Sequence, residues 1–380
     1  MNLEEIRAHY PGLGRGIQLN TGGVGLPSRE VHAAVQAGFD QLYEEHVPPI
    51  EWYTLTHQAA DTARARLAAF LGAAESEITL TVSTADGLAA VIGGLSWEPG
   101  DEVLITSEEH PVPHKAVLGL QERYGVVLKS VEVDHDPAVV VERTGEALTP
   151  RTRLICMSHV TTDTGLVVPA EEICRLARER GVRTLWDGCH AVAQIPVDLG
   201  EMGCDYYASN CYKWMLGPIG TGFLYVSEEA RQGLKPLLRP HDPEAGAAQY
   251  VTSTPAYALY AGVAATIDLM ESFGGVEAIQ RESARKAEAL KASLDAVPGV
   301  LVLSSRRPDS QTGTVTFAIE GVDGGQVSTA LKERWQIVQR ATYLTDPSGV
   351  RISVAFYISE AELDALVEAV KVLAAEAGWE

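Results

Sequence analysis

Cysteine is absent before Cys156 and after Cys211, and the five in between (Cys156, Cys174, Cys189, Cys204, Cys211) form no C-x-x-C pair. An odd, unpaired set makes neither a disulfide framework nor a zinc pattern, and it suits a reducing compartment. Basic residues are also scarce: 30 Lys and Arg stand against 51 Asp and Glu, for a formal net charge of -21. No basic block offsets that acidity, which argues against nucleic acid or an anionic membrane surface as partner. The longest apolar run, about Gly87 to Leu95, is far too short to span a bilayer. The opening MNLEEIRAHYPGLG lacks the basic-then-apolar order of a secretory leader, so a cytoplasmic protein is expected. GxSxG, GxxxxGK[ST] and a GxGxxG behind a strand do not occur, which removes the usual hydrolase, P-loop and nicotinamide signatures. There is no internal repeat.

What the chain does hold is apolar material in an ordered pattern. Its 380 residues, 46% of them hydrophobic, suffice for two domains or for one large α/β domain with an appendage. Residues 1–19 read as a short helix and turn, leading into GIQLNTGGVGLPS. There Asn20, Gly22, Gly23 and Gly25 make either an ordinary turn or a loop whose backbone can approach a ligand. One helix starts at Pro27 and stops at Pro48-Pro49, and another runs from about Thr54 to Leu71. From there to about residue 225 strand, loop and helix repeat, which implies a mainly parallel, doubly wound sheet. A helical stretch over 256–296 bridges to a second set of elements: the strands GVLVLS, GTVTFAI, IVQRAT and VRISVAFY, the helix GQVSTALKERW, and a last helix from Glu360 to about Ala377. These read as a smaller domain of usual size. The expected division is a large domain over 20–260 and a small one made of 1–19 and 270–380.

Four stretches bring reactive groups to one edge of the large sheet, the edge at which open α/β sheets bind ligands. A strand from Ile78 to Val82 feeds a helix through Ser-Thr-Ala-Asp-Gly, so Thr84 and Ala85 lie at a helix N-terminus, as a phosphate cradle or an everyday cap. His110 follows the strand Glu102–Thr106; with His114 it could form a metal pair only on one helical face, and Pro111 and Pro113 are read as interrupting that helix. Asp187 ends the strand VRTLW with His190 close behind, giving an acid and imidazole pair or simply a capped helix. Lys213 sits between Tyr212 and Trp214 in DYYASNCYKWMLGPIGTGF. It is either a partly desolvated amine suited to a Schiff base or a surface lysine snorkelling beside a core strand. Arg340 and Arg351 fall on late strands, where either could do no more than pair with a carboxylate.

The order of these groups, with EEHP, LWDGCHA, NCYKW, GPIGTGFLY, STP and VRIS around them, resembles the class V pyridoxal phosphate enzymes. That group holds cysteine desulfurases, isopenicillin N epimerase-like proteins and cysteine/cystine carbon-sulfur lyases. The resemblance covers nearly the whole chain, and GGVGLPS, GLSWEPGDEVLITSEEHP, RLICMSHVTTDTGLVVPAEEI and AYALYAG have the character of the cystine lyases. It implies the pyridoxal phosphate transferase fold of type I: a large α/β domain with a mainly parallel mixed sheet between helices, plus a smaller α+β C-terminal domain. It also implies pyridoxal 5'-phosphate as cofactor.

By that resemblance Lys213 is the Schiff-base lysine and carries the substrate's α-proton, Asp187 keeps the pyridine nitrogen protonated, His110 stacks on the ring and His190 lies by the ring hydroxyl. Thr84, the Ala85 N–H, Asn210 and Tyr212 fall on the phosphate side. Thr254 matches a threonine that reaches the phosphate of a neighbouring subunit, which implies a homodimer. Arg351 matches the clamp for the substrate carboxylate, with Arg340 a second substrate-binding candidate. A desulfurase would need a cysteine in RATYLTDPSG, which offers hydroxyls and Asp346 instead, and Thr162 stands where desulfurases have asparagine. Cys189 and Cys211 read as buried structural thiols. The implied reaction is α,β-elimination on cysteine, cystine or an S-substituted cysteine, giving pyruvate, ammonia and a sulfur product. Epimerisation, with Tyr343 and His57 as guesses for a second acid/base, and transamination are the alternatives, and a non-catalytic cofactor-binding regulator is a reading of another class.

Overall fold

A computed structural model describes residues 2–44, 49–238, 245–250, 256–307 and 310–379, with side chains at 42, 44 and 49–56 left aside. In chain order the first part runs α1 (Leu3–Ala8), β1 (Ile17–Gln18), α2 (Arg29–Glu44), α3 (Pro49–Phe70), β2 (Ile78–Thr81) and α4 (Thr84–Gly94). The repeating units follow as β3 (Glu102–Thr106), α5 (Pro111–Tyr124), β4 (Val127–Val131), α6 (Pro137–Ala147), β5 (Thr152–Ser158), α7 (Ala170–Glu179), β6 (Arg183–Asp187), α8 (Leu199–Met202), β7 (Tyr206–Asn210) and β8 (Gly222–Val226). Then come α9 (Ala258–Ser272), α10 (Gly275–Asp295), β9 (Val300–Val302), β10 (Thr314–Ile319), α11 (Gly324–Trp335), β11 (Ile337–Val338), β12 (Arg340–Ala341), β13 (Val350–Ser353) and α12 (Glu360–Glu376).

A seven-stranded sheet in the order β2-β8-β7-β6-β5-β3-β4 organises the first part. The pairings from β7 to β4 are parallel, and β8 runs against both of its neighbours. Successive residues on a strand face opposite sides, so each strand feeds two cores. Leu185, Tyr206, Ala208 and Leu224 pack on one side with Val91 and Val117, while Trp186, Met157, Tyr207 and Phe223 pack on the other with Leu67 and Ala63. A sheet covered on both faces puts its ligand-binding groups at strand ends, and the loops after β2, β3, β5, β6 and β7 supply them here.

A second sheet, β12-β13-β10-β9, is antiparallel, and β1 pairs with β11 in a two-stranded parallel ladder. The expected strand IVQRAT is thus two short strands in different sheets. Gln339 stands between them, and its amide donates to Ser328 O at 2.7 Å. The helical stretch expected over 256–296 consists of two helices: Gly274 and Gly275, both at positive φ, end α9 and begin α10. α2 ends at Glu44, ahead of Pro48-Pro49, and Pro49 opens α3. The reading that Pro111 and Pro113 interrupt a helix needs correction: Pro111 opens α5, because a proline at the first helical position removes only an N–H that has no partner in the helix. Among the described residues no helix is long and apolar enough to cross a membrane.

Candidate active site

The helix α4 begins with a division of labour. Ser83 is the cap, its Oγ accepting from Asp86 N at 3.3 Å, which leaves the buried Thr84 Oγ1 with no hydrogen-bond partner. The first-turn N–H groups of Thr84 and Ala85 likewise have no acceptor inside the helix. Asn210, at the end of β7, buries an Oδ1 that also lacks a partner. Tyr212 is half-buried, and its carbonyl accepts from Gly25 N at 2.7 Å.

Lys213 lies in the turn after β7, half-buried, with Nζ 3.0 Å from Cys189 Sγ and 3.2 Å from His190 Nε2. His190 Nε2 also meets Thr162 Oγ1 at 3.2 Å, while its Nδ1 is buried with no partner. Burial, and then the charge of Lys213, push the His190 pKa well below the ordinary imidazole value, so it is neutral near pH 7. Asp187 ends β6 almost fully buried, and its Oδ1 accepts from Cys189 N at 2.9 Å. Cys189 is thus tied to both groups, and burial lifts its thiol to about 12. It stays protonated. His110 caps α5 through Nδ1, which accepts from Val112 N at 3.2 Å, and burial followed by Lys213 lowers its pKa.

Arg351, on β13, is 2% exposed, yet its partners are neutral: Nη1 donates to Thr162 O at 3.0 Å and Nη2 to Asn20 Oδ1 at 3.1 Å, and Nε has none. Burial, and then Arg340, lower its pKa. A buried cation without a carboxylate is costly unless an anion completes it. The glycine loop shapes this corner: a Cβ on Gly22 would come within 3.1 Å of the Arg351 guanidinium and of His190 Cε1, and one on Gly25 within 2.2 Å of Lys213 O. Arg340, the second substrate-binding candidate, pairs with a carboxylate, the simpler of its two readings. Its Nη2 is 2.7 Å from Oδ1 of the fully buried Asp163.

The structure therefore gathers Thr84, His110, Asp187, His190, Asn210, Lys213 and Arg351 along the loops of one sheet edge and the adjoining small sheet. Thr254 lies outside the described residues, and His57 packs against Tyr257 with ring centroids 5.1 Å apart. Sequence reasoning missed Asp163 and Glu109. Glu109 is 4% exposed, accepts from Thr106 Oγ1 (2.7 Å), Ser158 N (2.8 Å) and Ser158 Oγ (2.7 Å), and is raised by burial to about 7. Both sit one residue from positions that were singled out, but isolated acids are so common in this chain that neither carried a signal. Among the described residues no group of three or more His, Cys, Asp and Glu could hold a metal ion.

A lysine at the mouth of a mainly parallel sheet, with unpaired buried polar atoms arrayed around it, is the arrangement of a type I pyridoxal phosphate enzyme, and comparisons with known proteins agree. The sequence profile of the family described as Aminotransferase class-V matches residues 30–366, and the chain belongs to that family. The isopenicillin N epimerase of Streptomyces clavuligerus is 30% identical over 95% of each chain. A probable cysteine desulfurase of Methanothermobacter thermautotrophicus is 29% identical over 82% of this chain and 83% of its own. The solved complex of the cystine C-S lyase C-DES with its reaction product cysteine persulfide is 27% identical, has a TM-score of 0.88, and covers 95% of this chain and 99% of that one. The protein is a pyridoxal phosphate-dependent enzyme. Its residues fit the cofactor: the buried Thr84 Oγ1, with no partner in the chain, can donate to a phosphate, and Asn210 Oδ1 and His190 Nδ1 are further buried polar atoms that the chain leaves open around the lysine.

Proposed function

We propose that this enzyme is a carbon-sulfur lyase that performs α,β-elimination on cysteine, cystine or an S-substituted cysteine, giving pyruvate, ammonia and a sulfur product. The observation that carries the reading is the placing of thiols. The stretch 340–349 at the mouth has none, and Cys189, the thiol in contact with Lys213, is buried and protonated. No described thiol is thus both accessible and ionisable enough to accept sulfur, so the sulfur leaves as product. Likeness to the cystine C-S lyase supports this reading, and likeness to isopenicillin N epimerase keeps epimerisation as the alternative.

When bound, pyridoxal phosphate supplies an electron-withdrawing ring that makes the α C–H bond labile. The chain's own residues do the rest. Thr84 and the Ala85 N–H at the α4 N-terminus, with Asn210 and Tyr212, would hold the phosphate. His110 would cover the ring and exclude water, Asp187 would hold the proton on the pyridine nitrogen, and the neutral His190 would meet the ring hydroxyl. Lys213 would anchor the cofactor and, once displaced by substrate, take the α-proton at Nζ. Arg351 would receive the α-carboxylate as its missing counter-ion. In this reading 20–260 forms the cofactor-binding domain, 1–19 and 270–380 form the small domain, Arg340 supports the substrate side, and the protein works in the cytoplasm as a homodimer in which Thr254 reaches the neighbouring site.

The test is a panel of sulfur amino acids and single-enantiomer amino acids, followed by pyruvate, sulfide and optical rotation. Pyruvate from cystine or cysteine is expected, and inversion without pyruvate would overturn the lyase. Lys213→Ala should abolish the absorbance of the lysine-bound cofactor and lower turnover about 10³-fold or more.

A further inference from the structure

Asp163, in the loop between β5 and α7, is an internal carboxylate whose oxygens are all spent on one segment. Oδ1 accepts from Arg340 Nη2 at 2.7 Å, and Oδ2 accepts from the backbone N–H groups of Tyr343 (2.7 Å) and Leu344 (2.8 Å). Thr316 Oγ1 in turn donates to its carbonyl. Charge-assisted bonds to a carboxylate with no exposed surface are among the strongest a loop can have. Consequently 340–344 is pinned.

The pinned residue of consequence is Tyr343. One face of its ring carries the Arg340 guanidinium, with Cζ 3.6 Å from the centroid, and the ring meets His110 edge-on, 5.8 Å between centroids at 82°. Tyr343 and Leu344 are 53% and 46% exposed, so an aromatic ring and an apolar side chain stand open beside the residue that covers the cofactor. The nearest formal charges, Arg340 and Asp163, cancel. Arg340 is paired in register with Arg351 on the adjoining strand, which places this wall next to the carboxylate clamp.

We propose that Tyr343 is a specificity-determining residue, held by Asp163 as a fixed uncharged wall that favours substrates whose side chain continues beyond the β-substituent over free cysteine. The proposal rests on the reading that Arg351 takes the α-carboxylate, which leaves the side chain to run along the Tyr343 ring. An S-linked substituent can lie against that surface, while a bare thiol is too short to use it.

The pin and the wall are tested separately on the full-length, cofactor-loaded protein. Hydrogen exchange should show the Tyr343 and Leu344 amides protected, and Asp163→Asn should speed their exchange tenfold or more. Equal exchange in the two proteins would overturn the pin. If Asp163→Asn does not fold, Arg340→Gln tests the same loop. For the wall, L-alanine, L-norvaline and L-methionine, which carry no β leaving group, are titrated against the absorbance of the bound cofactor. The wild type should prefer methionine to alanine by tenfold or more, Tyr343→Ala should erase most of that preference, and Tyr343→Phe should keep it. A preference within twofold of wild type in Tyr343→Ala would overturn the wall. These affinities remain measurable if no amino acid yields pyruvate, so failure of the lyase reading and failure of the wall are distinct results.

Discussion

The two ends of the large sheet handle polar groups in opposite ways. At the edge away from the site, a cavity of about 430 Å³ is lined by Arg178, Arg183, Asp205, Glu77 and their neighbours. There Arg183 Nη1 is within ion-pair distance of Asp205 Oδ1, Asp205 Oδ2 accepts from Thr184 N at 2.8 Å, and Arg178 Nη2 donates to Gly203 O at 2.7 Å. At the lysine edge Thr84 Oγ1, Asn210 Oδ1, His190 Nδ1 and Arg351 Nε are buried with nothing to bond. Satisfaction separates the two: polar groups already paired within the protein ask for no ligand, and buried groups left open are shaped for one.

The sharpest way to break this comparison is to remove an open group and a closed one. Arg351→Lys keeps the charge and loses the planar fork, so kcat/KM with an amino acid that turns over should fall about 10²-fold, mainly through KM. Equal kcat/KM in the variant would show that Arg351 only fills space. Glu109→Gln probes a group on the lysine side that is fully paired. The folded carboxyl titrates at about 7 against an ordinary 4.5. Between those values the folded state therefore holds the extra proton, and stability falls as pH rises through that window. The glutamine variant should lack this slope and gain, relative to wild type, on the order of 2–3 kcal/mol between pH 5 and pH 8, read from denaturant midpoints. Parallel pH profiles would contradict it. The smallest effect is expected at the far edge, where Arg183→Met should cost about 1 kcal/mol of stability and leave kcat/KM within twofold, because its ion pair is partly solvated.

Much of this division was legible in the sequence, and the reasons are physical. Strand ends can be read from apolar runs, and a residue that follows a buried strand is delivered to the sheet edge by the fold class itself, which is how Asp187, His110 and Lys213 were located. Thr84 left two readings because hydroxyls both cap helices and bind anions. The structure separates them by giving the cap to Ser83. Pairings between distant segments left no trace: Asp163 meets Arg340 across 177 positions, and neither residue's local context announces the other. Proline was misjudged for a simpler reason, since its cost depends on its position in the first turn and a composition rule ignores that.

Arg351 Nη2 and Asn20 Oδ1 join positions 331 residues apart. A contact of such separation pays the entropy of closing a very long loop before it is rewarded, and it cannot form until residue 351 has been made. The surroundings of Arg351 are therefore among the latest features the growing chain can assemble on the ribosome, and Lys213 leaves it well before the contact with Asn20 can close.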